Sequence, residues 1–205
     1  MVRPRFAKLA TAQQESILGA AADEFAAHGF HGASLNRVIE SAGISKGSMY
    51  YYFDGKEDLY AHVVRVELER MFARVGPFDL SAAGSPDAFW SALGDYYLQL
   101  MSALAAAPQL AALLRSWIAA SATPAMQQTQ QELEEAVVPW LERVIVTGQG
   151  MGAVRTDLPS GLLITIAVGM GRAMDTWLLS RQPGVAELPP LTSALVGMMR
   201  RALQP

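Results

Sequence analysis

The stretch S-L-N-R-V-I-E-S-A-G-I-S-K-G-S-M-Y-Y-Y-F-D-G-K, running from Ser34 to Lys56, has the pattern of two short helices joined by a three-residue turn. The first helix starts at Ser34, turns Leu35, Val38, Ile39 and Ala42 to one side, and stops at Gly43. Ile44 supplies the apolar contact of the turn, and Ser45 can cap a second helix that runs to about Phe53. That second helix is small at its start and aromatic at its end. A helix that enters the DNA major groove needs this shape, because its first residues approach base edges while its flanks meet phosphates. Gly47 removes a side chain where backbone and DNA would come closest. Ser45, Lys46 and Ser48 offer donors to phosphates or base edges, and Tyr50, Tyr51 and Tyr52 offer hydroxyls and flat faces. Successive tyrosines on a helix point about 100° apart, so at least one of them must face outward. Lys56 places a cation at the start of the next helix, where the helix dipole also favours a phosphate. Arg37 is read as a phosphate contact or as part of a solvated face.

Working outward, Ile17, Leu18, Ala21, Ala22 and Phe25 form one apolar stripe at helical spacing, ended by Gly29 as a left-handed stop. Thr11 with Gln14 predicts a capping box at the start of that helix, and Asp54 with Glu57 predicts another. The second box opens a long helix through Leu59, Val63, Val66 and Phe72 to about Val75, ended by Gly76-Pro77. Further helices are expected at about 86–106, 108–121, 124–147, 159–181 and 189–203, with Pro139 inside the third of them. Few runs alternate with period two. The expected fold is all-α: a three-helix module over 1–56, a connecting helix to about 75, and a larger helical domain over 77–205.

The chain has 205 residues, 51% of them apolar and 17% charged, which is enough for a real core and excludes bulk disorder. It has no cysteine, so disulfides, thiolate metal sites and cysteine nucleophiles are excluded. His28, His31 and His62 give few candidate ligands for a metal, and no metal or cofactor is expected. The basic start (Arg3, Arg5, Lys8) runs into polar residues rather than a signal-peptide core, and Arg172 and Asp175 interrupt the apolar stretch Leu162–Leu179. That stretch reads as a buried helix, and a cytoplasmic protein with no membrane partner is expected. The net charge of −3 argues, taken alone, against a general nucleic-acid binder. Residues 1–60 hold six Lys+Arg and seven Asp+Glu, so even the helix-turn-helix module is not net basic. Placement reverses the argument: the cations lie in the start and in the helix-turn-helix, so DNA would be held by few contacts per subunit.

With those residues in view, the chain resembles the TetR family of bacterial transcriptional regulators. The resemblance rests on A-A-x-x-F-A-x-x-G-F-x-G-A-S, from Ala21 to Ser34, and on A-G-I-S-K-G-S-M-Y-Y-Y-F-x-G-K-E-D-L, from Ala42 to Leu59. It implies that Arg37, Ser45, Lys46, Gly47, Ser48, Tyr50, Tyr51 and Lys56 match DNA-contacting positions. It implies that Tyr52 lies near the phosphates and that Met49 and Phe53 pack inside the module. It also implies that the larger domain binds a ligand and dimerises, although no residue there can be carried over by motif.

Two other motifs compete. Gly43-Ile44-Ser45-Lys46-Gly47 matches the G-x-S-x-G nucleophile elbow, but a helix rather than a strand precedes it, and the only later histidine is His62. Gly148-Gln149-Gly150-Met151-Gly152 resembles a dinucleotide loop but lacks its strand, and reads as a helix-ending loop. No acid/base, nucleophile or metal set stands out, so no enzyme is expected. In the larger domain Tyr97, Met101, Trp117, Trp140, Met170 and Trp177 are candidates to line a pocket for a hydrophobic effector. The last two helices carry small and apolar faces suited to a four-helix dimer interface. The expected function is a ligand-released repressor that binds a near-palindromic operator as a homodimer. The alternative is a helical ligand-binding or structural protein whose helix-turn-helix no longer binds DNA.

Overall fold

The structure, a computed structural model, describes residues 4–81, 83–119 and 124–205, and every regular element among them is helical. A short 3-10 turn at Phe6–Lys8 precedes α1 (Thr11–Gly32), α2 (Leu35–Ser41), α3 (Lys46–Tyr52) and α4 (Lys56–Val75). Then come α5 (Pro86–Ala105), α6 (Pro108–Ala119), α7 (Pro124–Gly150), α8 (Ser160–Arg181) and α9 (Leu188–Leu203). The expected helices are all present within a few residues. The third of the later helices runs on through Pro139 to Gly150, three residues past its expected end.

Neither capping box forms as expected. Ala10, not Thr11, is the residue before α1, and the Gln14 side chain donates to the Leu9 carbonyl at 2.8 Å. At α4 the backbone N–H of Asp54 is taken by Asp58 at 3.1 Å, one residue beyond the expected Glu57. Both deviations follow from one competition: a short polar side chain near a helix start has several backbone groups in reach, and packing chooses among them.

The chain divides into two compact units. The first comprises Met1–Arg70 and Ala107–Gln131, the second Met71–Ala106 and Glu132–Pro205. Packing thus gathers α6 with the N-terminal helices, whereas sequence order would set it in the larger domain. In the first unit, Ile17, Leu18, Ala21, Ala22 and Phe25 are buried as one stripe of α1, against Val38, Met49, Phe53, Leu59, Val63 and Leu113. Each such aliphatic or aromatic side chain contributes about 1.5–3 kcal/mol on burial. Gly29 has φ 63 and ψ 175, a region essentially closed to other residues, and it kinks α1 where α6 crosses. A Cβ at Gly29 would come within 3.2 Å of Ser116 Oγ, and that oxygen accepts the Phe30 N–H at 2.8 Å. Nearby, the buried Tyr60 hydroxyl donates to the Leu113 carbonyl at 2.7 Å, and burial pushes its pKa up to about 12.

In the second unit α5 packs against α9, and α8 lies beside α9. Gly148 sits inside α7 rather than in a loop. A Cβ there would meet Val154 Cγ2 at 2.6 Å and Phe89 Cζ at 2.8 Å, so the glycine makes room for the packed ring. That close approach accounts for Gly148, and Gly152 takes φ 69 in the turn that follows α7. Among the described residues one helix, α8, is long and apolar enough to cross a membrane. It is buried along one face only, through Leu163, Ile164, Ala167, Met174, Leu178 and Leu179, while Leu162 and Trp177 are exposed. The helix expected to be buried is thus buried along one face and uncovered along the other. Its Asp175 accepts the Tyr97 hydroxyl at 2.8 Å, and burial raises the pKa of both groups.

Candidate nucleic-acid interface

The first unit holds α2, the turn and α3 as the sequence pattern predicts. Val38 is buried, Leu35, Ile39, Ala42 and Ile44 pack around it, and Gly43 takes φ 64 to turn the chain. Ser45 caps α3 by accepting the Ser48 N–H at 3.0 Å, and the two hydroxyls lie 2.8 Å apart. Met49 and Phe53 anchor α3 from below, each 1% exposed.

The opposite face of α3 is left uncovered. Lys46 and Gly47 are exposed at its first turn, and Tyr50 and Tyr51 are 46% and 47% exposed. A Cβ on Gly47 would meet nothing closer than Ser45 Oγ at 3.7 Å, and its φ is ordinary, so nothing inside the protein requires a glycine there. The Arg5 guanidinium lies 4.3 Å from the centre of the Tyr51 ring, which places a second cation beside this face.

Three expected contact residues are turned to other work. Tyr52 is half-buried, edge-on to Phe6 at 6.1 Å, and so belongs to the seam between α3 and the N-terminal segment. Arg37 forks onto Glu24 (Nε to Oε1 2.8 Å, Nη2 to Oε1 2.5 Å) and also donates to the Gly32 carbonyl at 3.0 Å. Glu24 in turn accepts the Ser34 N–H at 2.7 Å, and the Arg37 hydrogen bond is the largest cause holding its carboxyl below the usual range. Together they tie α2 to α1. Lys56 Nζ donates to the carbonyls of His31 and Ala33 at 3.2 and 3.1 Å and lies 4.9 Å from the centre of the Phe30 ring. It closes the carboxyl end of α1 rather than standing free at the start of α4.

The six candidate pocket residues have different surroundings within their own units. Trp117 packs on Tyr60 in the first unit. In the second, Tyr97 is held by Asp175, Met101 and Met170 are half-buried, and Trp177 is exposed beneath the Arg181 guanidinium. Trp140 lines a cleft of about 440 Å³ together with Phe72, Ala73, Gly76, Pro77, Phe78, Tyr96 and Arg143. Sequence reading missed Phe78 and Arg143 there, as it missed Arg5 at α3. Phe6, a lone aromatic in a polar start and now 2% exposed, was the available signal for the Arg5 contact.

Residues 17–63 match the family described as bacterial regulatory proteins, tetR family. Among curated proteins, the chain is 43% identical over 68 residues to the HTH-type transcriptional regulator RutR of Escherichia coli (strain K12), covering 33% of this chain and 32% of that protein. It is 40% identical over 58 residues to UidR of the same organism, covering 28% and 30%. These matches thus span about a third of each relative's length. Among solved structures, the fatty acid degradation regulator FadR of Bacillus halodurans superposes with TM-score 0.66 at 20% identity, over 89% of this chain and 97% of that one. FadR of Bacillus subtilis, solved in complex with stearoyl-CoA, gives 0.65 at 19% identity, over 90% and 96%. At such identities the likeness is one of fold. Residues 17–63 thus match the helix-turn-helix segment of the bacterial regulatory proteins of the tetR family.

Proposed function

We propose that this protein is a DNA-binding transcriptional regulator that places α3 of each subunit of a homodimer in successive major grooves of a near-palindromic operator. The observation that carries the reading is the uncovered face of α3, with Lys46, Gly47, Tyr50 and Tyr51 exposed over a fully packed Met49 and Phe53. Ser45 and Ser48 stand at the same first turn. A glycine that the fold does not need is accounted for by a surface that comes close from outside. The dimer forms through α8 and α9, whose Leu162, Trp177 and Met198 are exposed apolar side chains.

The regulator acts as a repressor released by a small effector. The cleft lined by Phe72, Phe78, Tyr96 and Trp140 suits an apolar group, and the exposed Arg143 suits an anion attached to it. A neighbour in fold holds stearoyl-CoA, a ligand of that general chemistry. Phe72, Ala73 and Gly76 of the cleft belong to the last turn of α4 and the residue after it, and the same helix begins at Lys56, four residues after α3. An occupant therefore touches the last turn of the same helix whose first residue follows the recognition helix by four positions. It releases DNA only by binding the released state better, by a few kcal/mol for a useful switch.

A Lys46→Ala, Tyr50→Ala double variant tests the reading. A direct side-chain contact to DNA is worth about 1–3 kcal/mol, and each of two subunits gives up two, so operator affinity measured by fluorescence anisotropy should fall at least about 700-fold. Sedimentation should find the dimer unchanged. Equal affinity of the variant and the parent would refute the assignment of α3.

A further inference from the structure

The helix-turn-helix module is short of cations. Residues 1–60 carry six Lys+Arg against seven Asp+Glu, and two of the six are engaged by other groups of the module. Arg37 is forked onto Glu24, and Lys56 closes the carbonyls of His31 and Ala33. Arg37 is exposed but paired with Glu24; of the other described cations of the module, Arg5, Lys8 and Lys46 are exposed.

Two of those three lie outside the helix-turn-helix, in the N-terminal segment. Its position is set by Phe6, 2% exposed, whose ring lies 4.9 Å from that of Phe53, 5.4 Å from His62 and 6.1 Å from Tyr52. The segment is thereby fixed against the carboxyl end of α3. Arg5 already has helical backbone angles at the head of the 3-10 turn, and the Lys8 N–H bonds back to the Arg5 carbonyl at 3.3 Å. A 3-10 turn has three residues per turn, so Arg5 and Lys8 stand on one side of it while Phe6 points inward. Arg5 lays its guanidinium 4.3 Å from the centre of the exposed Tyr51 ring. Stacking uses the face of a guanidinium and leaves its in-plane N–H donors directed outward.

We infer that Arg5 and Lys8 extend the DNA-contacting surface beyond the helix-turn-helix, binding the sugar–phosphate backbone beside the groove that α3 enters. Arg5 is positioned for this by its stacking on Tyr51. The inference rests on the assignment of α3 as the DNA-entering helix. It adds electrostatic contacts to that of Lys46 in a module that is net acidic.

The test is the salt dependence of binding of the full-length protein to a duplex recovered by in vitro selection. Parent, Arg5→Gln, Lys8→Gln, the double variant and Arg5→Lys are compared, with a thermal midpoint for each. Each neutral substitution should lower the slope of log affinity against log salt by about two per dimer, one released counterion per subunit, and weaken binding about tenfold at 0.15 M salt. Arg5→Lys keeps the charge and should restore the slope. A slope equal to the parent's in the double variant would overturn the inference. So would loss of affinity in Arg5→Gln at unchanged slope, since Arg5 would then only brace Tyr51. Lys8 is exposed and outside the core, so Lys8→Gln still decides the question should Arg5→Gln unfold the module. A parent that selects no duplex would instead remove the assignment of α3, and this inference with it.

Discussion

Gly47 is the second residue of a seven-residue helix in which a side chain would meet only ordinary contact, with Ser45 Oγ at 3.7 Å. A glycine at such a site costs stability, because the unfolded chain has more freedom to lose. Gly47→Ala should therefore raise the unfolding free energy by about 0.4–1 kcal/mol while weakening operator binding. A variant that is stabler and binds equally well would show that no surface approaches α3 at this point. His62 makes a second residue-scale prediction. Its half-buried ring packs on Phe6 and Phe53 and lies 2.8 Å from Arg65 Nη2; burial first, and that guanidinium second, lower its pKa from 6.5 to about 4. The fold thus prefers the neutral ring, and the unfolded chain takes up the proton first. Stability should fall as pH drops from about 6.5 to about 4 and then level off for this group, by about 2 kcal/mol after allowance for its partial exposure. Denaturant titrations across that range should show the fall, and a His62→Gln variant should flatten it. A parent profile that is level from pH 7 to 4 would contradict the assigned burial. The Glu24 carboxyl, held low chiefly by Arg37, adds a loss of its own only at more acid pH.

Among the elements, the helices were legible in sequence because their signals are periodic and local: the stripe from Ile17 to Phe25, the stop at Gly43 and the Ser45 cap all stand as read. What failed to be legible was any pairing between distant elements. Arg37 and Lys56 have the charge and position of phosphate ligands. Only the folded chain brings Glu24 and the carbonyls of His31 and Ala33 within their reach. The partnership of α6 with α1 is of the same kind, since nothing local in Pro108–Ala119 announces that Ser116 will receive the Phe30 N–H at the Gly29 kink. That hydrogen bond holds α6 to α1 within the first unit. Ser116→Ala should cost about 1–2 kcal/mol by leaving the Phe30 N–H without its acceptor. If the bond also carries the response to effector, the variant should bind operator as the parent does and release it less completely when effector is added. An unchanged unfolding midpoint would show that the bond does not hold α6 to α1.

At the scale of the whole molecule, a chain of net charge −3 is an unpromising ligand for a polyanion. The fold makes matters tighter by pairing the exposed Arg37 with Glu24 and tying the half-buried Lys56 to the carbonyls of His31 and Ala33. What remains per subunit is a small set, Lys46 on α3 with Arg5 and Lys8 beside it, and a dimer doubles it. Non-specific binding should accordingly be weak, specific binding should need both subunits, and the release of many more than about ten counterions per dimer would not fit so small a contact surface. The most direct measurement is selection of duplexes from a random pool by the purified full-length protein, followed by equilibrium binding of the enriched site and a scrambled copy at 0.15 M salt. The predicted result is a near-palindrome with half-sites about one helical turn apart, bound at least about 1,000-fold more tightly than the scramble. Enrichment of no common sequence, or equal affinity for site and scramble, would contradict the claim that the uncovered face of α3 reads DNA.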